Sequence, residues 1–414
     1  TWSTRVLEFG PKRELLENTR MTHLPNPAEQ LRAADEMWVK CSHDALNFSL
    51  RQSIRANPAA YSAIGTAGGG GGKLVVAIGQ AARALKGWAC TTLSMSRNFA
   101  LEAGSFDLAI IDEASQCNIA YILPIAYRSK RLMIVGDPNQ LPPIIQVGRR
   151  TVDSIAEATG MIAATTANPG IDFLDGSAYL AFENVVGRKN VILLNEHYRC
   201  HPKIARWFNQ AFYGGALQVV TDISGMRENS RGMSWVDIVG TADRPSTKRS
   251  WINQAEVKAA VELVRQSSLL GLSVGVVSPF SAQTLAIQRG VEATIDREML
   301  GEMAFTAGTA HRFQGDERDI IIFSSCIAPG ILKESARWVE KERNLINVAV
   351  SRARQSLIIL GHPSIDSLDC PTLSSLRNFA LSTTDDGEKV GHRVDSEAEL
   401  RLLNAMIIAG LSPL

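Results

Sequence analysis

Two adjacent carboxylates, Asp112 and Glu113, close the apolar run LAIIDEA at 108–114. Acids at the tip of a strand can hold a hydrated divalent cation and orient or deprotonate a water. Four apolar positions before them suit a central parallel strand, whose carboxyl end is where open α/β sheets place ligands. The alternative is that the pair ends a strand and favours the amino end of a following helix. A second apolar run, 132–135, leads into GDPNQLPP at 136–143. Gln140 there can reach a terminal phosphate, although an ordinary Asp-Pro turn would look the same. Two successive strands that load polar groups at one end predict a shared site at the edge of a phosphate-binding sheet.

IIDEASQ at 110–116 and VGDPNQLPP at 135–143 resemble motifs II and III of superfamily-1 helicases, in the branch that holds the Up-frameshift, Senataxin and Dna-two-like proteins. The remaining motifs follow in the family's order. NEHYRCHP at 195–202 resembles motif IV, SPFSAQ at 278–283 the Ser-Pro-Tyr-x-Ala-Gln segment, GTAHRFQGDE at 308–317 motif V, and NLINVAVSRAR at 344–354 motif VI. Together they span about 87–362.

The resemblance implies an α/β fold of two RecA-like P-loop NTPase domains with parallel sheets, and an ATP-driven motor on single-stranded nucleic acid, DNA favoured over RNA. By resemblance Asp112 holds Mg²⁺, Glu113 and Gln140 act on the attacking water and terminal phosphate, and Arg199 and Arg352 reach the phosphate from the second domain. Arginine suits that task because its planar fork can hold two phosphate oxygens. Gly315 and Glu317 match the motif V positions near the nucleotide. Thr91 and Thr92, just before motif II, and Pro279, Phe280 and Thr309 match positions that touch the strand's backbone; for the threonines, a plain Thr-rich β-strand is the competing reading. His311 departs from the aspartate that many relatives carry, which leaves the coupling of motif V to nucleotide open.

The elements needed to hold these groups recur along the chain. Short apolar runs at 108–111, 132–135, 191–194, 273–277, 320–323 and 357–360 predict strands, with helical patterns at 202–212 and 253–265 between them, the alternation of parallel sheets covered by helices. The expected organisation is a helical insertion or stalk over 1–65, a first RecA-like domain over 66–187, a second over 188–384, and a linker with the first helix of a further domain over 385–414. At 414 residues and 45% apolar content the chain can bury two cores. A net charge of +1 is not a nucleic-acid signature; it argues against attraction by the whole surface and leaves a local groove. The six cysteines never form a Cys-x-x-Cys pair, and no apolar run reaches membrane-spanning length, so a cytoplasmic setting without membrane partners is expected.

One part is out of pattern. Phosphate loops place Gly-Lys-Ser or Gly-Lys-Thr after a strand, so that backbone N–H groups cradle phosphate and the hydroxyl binds Mg²⁺. The nearest string here, AGGGGGKL at 67–74, puts Leu74 where the hydroxyl belongs. The expectation is that 68–72 is a flexible loop or linker, that the phosphate loop lies upstream of Thr1, and that these residues alone do not hydrolyse ATP. A nucleic-acid-binding scaffold that does not hydrolyse, such as the targeting arm of a nuclease, is the alternative. Glu256-Val257-Lys258 superficially fits a nuclease Glu-x-Lys element but lies in a helical pattern. Ser396 and Glu399 form a capping box before an apolar stripe, and this Ser-Glu-Ala-Glu segment resembles the opening of Vsr-like nuclease modules that follow some bacterial helicases.

Overall fold

The computed structural model describes residues 27–66, 72–82, 85, 87–226, 232–245, 250–382 and 391–394. The chain divides into two compact units: Thr1–Ala109 with Tyr121–Arg131, and Ile110–Ala120 with Leu132–Leu414. The expected capping box at 396–399 and most of the glycine run lie outside the described residues.

The first unit is helical. Pro27–Ala56, Pro58–Thr66, Gly72–Ala82 and Thr92–Asn98 are its helices before the strands begin. Proline opens two of them, at the position where a missing N–H costs nothing and the fixed φ already suits a helix. Arg128 is buried at 3% exposure and donates to the carbonyls of Phe99, Ala100 and Pro124, so its charge is taken up by backbone dipoles that it also ties together.

The strands in chain order are β1 (Ala109–Ile111), β2 (Leu132–Ile134), β3 (Glu196–His197), β4 (Gln218–Val219), β5 (Gly232–Ile238), β6 (Val274–Val277), β7 (Thr306–Gly308), β8 (Arg318–Ser324), β9 (Ala353–Gly361) and β10 (Gly391–Val394). Six of them form one sheet in the order β10-β5-β9-β8-β6-β7, every neighbour parallel. Alternate side chains build two cores. Trp235, Ile321, Phe323, Leu357 and Ile359 face one, while Val236, Ile320, Ile322, Ile358 and Leu360 face the other. Coverage of both faces is why β8 and β9 read as unbroken apolar runs at 320–323 and 357–360. Helices Pro202–Tyr213, Asn344–Val350 and Pro371–Leu381 contribute to the first core, Gln254–Ser267 and Ser281–Glu292 to the second.

The structure corrects two expectations about strands and adds a strand, β5, that the sequence reading did not name. Residues 191–194 lie in no sheet, and Ile192 and Leu194 are 86% and 82% exposed. An apolar β-branched run becomes a strand only where a neighbour supplies a ladder and a surface to pack on, and pairing starts later, at β3. β1 is not buried throughout: Ile111 is, whereas Ile110 is 61% exposed, because β1 pairs with β2 in a two-stranded sheet. β5 was hidden in the sequence by Ser234 and Asp237. Asp237 is satisfied by Trp235 Nε1 at 2.8 Å and by Arg377, which makes a polar pair tolerable in a central strand.

Candidate nucleotide and nucleic-acid site

The acids after β1 sit at a turn that the backbone enters under strain. Glu113 has φ of 52°, a left-handed conformation that costs an ordinary residue free energy and is concentrated at functional sites. Its N–H donates to Asp112 Oδ1 at 2.9 Å, and Gln116 Nε2 donates to Glu113 Oε2 at 2.7 Å. Asp112 is exposed and Glu113 half-buried. Each carboxylate thus keeps one oxygen without a hydrogen bond from the described residues. The turn is held against the next loop by backbone pairs: Val135 N donates to Ile111 O and Ala114 N to Val135 O, both at 2.8 Å. Gly136 follows, and a Cβ there would lie 2.8 Å from Ser115 Oγ, so the two loops meet where no side chain fits.

Beyond Gly136 the chain folds around Asp137. Its Oδ1 accepts from Asn139 N at 2.9 Å, and its Oδ2 accepts from Gln140 Nε2 at 3.1 Å and Tyr213 O–H at 2.5 Å. Asn344 and Asn347, on the helix Asn344–Val350, complete the enclosure. Asn344 Nδ2 donates to the carbonyls of Pro138 and Gln140, and Asn347 Nδ2 to Asn139 O and to the Tyr213 hydroxyl oxygen. Segments about 200 positions apart in sequence therefore meet within the second unit. Sequence reading marked Gln140 here but neither Tyr213 nor the two asparagines. Asn344 and Asn347 lay inside the quoted motif VI string, which was the available signal.

Arg352 closes the same region. Its side chain is 3% exposed, with Nε donating to Val348 O at 3.1 Å and a longer contact to Ser351 Oγ. No carboxylate forms an ion pair with it among the described residues. Burial, reinforced by Arg199, lowers its pKa, and Glu113 among its neighbours works the other way. A buried guanidinium without an anionic partner is costly, and phosphate is the kind of group that offsets that cost. Ser115 Oγ, Gln140 Oε1, Gln314 Nε2 and Asn347 Oδ1 are likewise buried without a hydrogen-bond partner among the described residues.

Arg199 is placed differently. Its Nε lies 2.6 Å from Glu317 Oε2, and Glu317 also takes Arg354 at 3.3 Å, while Arg354 pairs with Asp319 at 2.7 Å. Arg199 is held on its loop by His197, whose Nε2 accepts from Cys200 N at 2.9 Å. Burial first, and the neighbouring Arg199 second, pull the His197 pKa down to about 4, so the ring is a neutral acceptor at physiological pH. Gly315 has φ of 76°, a value suited to glycine.

The residues expected to touch nucleic acid are scattered in character. Pro279 and Phe280 are buried, and the Phe280 backbone is engaged locally, its N–H donating to Ser278 Oγ and its carbonyl accepting from Thr284 N, whereas the neighbouring Ser281 is exposed. Phe280 packs on Trp338 with ring centroids 6.0 Å apart, and the indole, 43% exposed, is the aromatic that faces outward. Thr309 is half-buried before a short turn. Thr91 and Thr92 belong to the first unit and start a helix rather than a strand: Thr91 Oγ1 caps it by accepting from Ser94 N at 3.2 Å. Gly72 opens another helix, with Lys73 at its second position.

Comparison with known proteins agrees with the motif order. Two families described as "AAA domain" match residues 178–364 and 89–147, together more than half of the chain. Probable helicase senataxin of Mus musculus is 28% identical over 292 residues, covering 66% of this chain and 10% of its own length. Helicase SEN1 of Saccharomyces cerevisiae is 28% identical over 66% of this chain and 12% of itself. The 5'-3' DNA helicase ZGRF1 of Mus musculus is 30% identical over 64% of this chain and 13% of itself. The chain therefore spans only 10–13% of the length of these three curated relatives. Among solved structures, the arterivirus nonstructural protein 10 helicase in complex with DNA aligns at 15% identity and a TM-score of 0.30, over 64% of this chain and 42% of that one. With motifs II to VI in order, two matching AAA families and the senataxin and SEN1 relatives, the chain belongs to the superfamily-1 helicases of the Up-frameshift and Senataxin group.

Proposed function

We propose that this chain is the motor core of an ATP-dependent helicase or translocase that moves on single-stranded nucleic acid, with DNA as the favoured strand. The observation that carries this is the buried, unpaired Arg352 with Glu113 and Tyr213 among its neighbours, Tyr213 in turn sharing Asp137 with Gln140. Bound ATP with Mg²⁺ would supply the phosphoanhydride and the cation. The donors fit a hydrated magnesium ion: it needs one or two carboxylates, and the free oxygen of Asp112 is one. Among the described residues no group of three or more acids, histidines or cysteines could hold a metal by itself, so phosphate and water would complete the shell.

In this reading Glu113 orients the attacking water and takes its proton, and Gln140 accepts a hydrogen bond from that water. Arg352 offsets the charge that develops on the transferred group. Arg199 serves the same end once it exchanges Glu317 for phosphate. Pro279, Phe280 and Thr309 mark the loops that meet the strand, with Gly315 and Glu317 beside the nucleotide. No helix among the described residues is long and apolar enough to cross a membrane; a cytoplasmic location is part of the proposal.

A nucleic-acid-binding scaffold without hydrolysis is the second reading, favoured by one observation: no Gly-Lys-Ser or Gly-Lys-Thr occurs in the 414 residues. Steady-state hydrolysis by the full-length natural polypeptide, with and without a single-stranded oligonucleotide, separates the two. Strand-stimulated phosphate release supports the motor. Tight strand binding with no hydrolysis would replace it with the scaffold.

A further inference from the structure

We propose that Tyr213 is a positioning residue for hydrolysis, acting through Asp137 to hold the side-chain amide of Gln140 in one orientation. The proposal rests on the motor reading and extends it to a residue outside the motifs. Asp137 Oδ2 is shared by the Tyr213 hydroxyl at 2.5 Å and Gln140 Nε2 at 3.1 Å. Asp137 Oδ1 is occupied by Asn139 N, so the carboxylate is fixed at both oxygens. Tyr213 is itself fixed, because its oxygen accepts from Asn347 Nδ2 at 3.2 Å and its ring packs edge-on to Phe208.

The consequence is a defined Gln140 amide. Its nitrogen is committed to Asp137, and its oxygen is buried with no partner among the described residues. An amide held in that sense presents an acceptor, which is what orienting a water by its own O–H requires. Without the hydroxyl, Asp137 loses its strongest donor and the amide loses the reference that distinguishes its two ends. Burial, then the neighbouring Asp137 carboxylate, pushes the phenol pKa well up, so the donor stays protonated at every working pH.

Tyr213→Phe removes one oxygen and keeps the ring. In this chain, hydrogen exchange of the peptide over 136–143 should quicken about tenfold, while peptides of the six-stranded sheet stay unchanged. In the full-length polypeptide, strand-stimulated ATP hydrolysis by Tyr213→Phe should show kcat about tenfold lower with KM for ATP within about twofold. Added to Gln140→Ala, the same change should cost nothing further, because the two act as one unit. Unchanged exchange over 136–143 overturns the clamp. Additive losses in the double variant overturn the route through Gln140. A wild-type protein that binds strand but hydrolyses no ATP would overturn the motor reading and the catalytic half of this proposal together, whereas exchange would still report on the clamp.

Discussion

Glu113 occupies a left-handed backbone position and keeps one carboxylate oxygen free, the combination expected of a group held for chemistry rather than for packing. Glu113→Gln should leave nucleotide binding within about twofold and lower turnover by a factor of about 10² to 10⁴, the usual range for losing a general base. Parallel binding and hydrolysis assays of the full-length polypeptide check this, and unchanged turnover would sink the role. Arg352 differs from Arg199 in that no carboxylate neutralises it among the described residues. Its replacement by alanine should therefore lower kcat by about 10³ or more while weakening nucleotide far less, since a charge that serves mainly the transition state alters turnover more than ground-state affinity. If Arg352→Ala instead abolished strand binding and spared hydrolysis, the arginine would be a backbone contact.

Among the elements, β5 and β9 show how tightly the six-stranded sheet is specified. A Cβ at Gly361 would lie 2.3 Å from the Trp235 ring, and Trp235 is 1% exposed. Gly361→Ala should therefore cost about 1–3 kcal/mol in urea unfolding, by overpacking rather than by backbone preference. The helix Gln254–Ser267 carries a different constraint. Glu256 is fully buried and accepts from Ser324 Oγ, Cys326 N, Ser325 Oγ and Asn253 Nδ2. Burial outweighs these donors and raises its pKa from 4.5 to about 7. Because the folded value is the higher one, the neutral acid's contribution to stability is complete below about 4.5 and is lost as pH rises through about 7. The unfolding temperature should fall over that window, and Glu256→Gln should flatten the slope. This role also disposes of the nuclease-like Glu256-Val257-Lys258 triplet, since the acid is spent inside the fold. The strands of the large sheet at 320–323 and 357–360 were legible as apolar runs, and the helix over 253–265 by its period. The run at 191–194 was misleading because pattern reports what could pair, not whether a partner is present.

On the scale of the whole molecule, the absence of a Gly-Lys-Ser or Gly-Lys-Thr string means that the phosphates have no known cradle within this chain. Calorimetry of the 414-residue chain with ATP and Mg²⁺ should give a Kd no tighter than about 1 mM. Micromolar binding that disappears in Lys73→Ala would show that the glycine run serves as the cradle after all. What the sequence determined by itself was the inventory: Asp112, Glu113, Gln140, Arg199 and Arg352 stand in ordered strings too specific to arise from composition, and alternating apolar runs required a parallel sheet. What tertiary structure decided was who meets whom. Tyr213 at the end of one helix and Asn347 inside another become partners of Asp137, and Arg199 pairs with Glu317 while Arg352 stays unpaired. Hydrogen bonds and ion pairs depend on angstrom-scale distances between segments separated by up to about 200 residues, and such distances are set by how sheet and helices pack, a property that no local run of residues encodes.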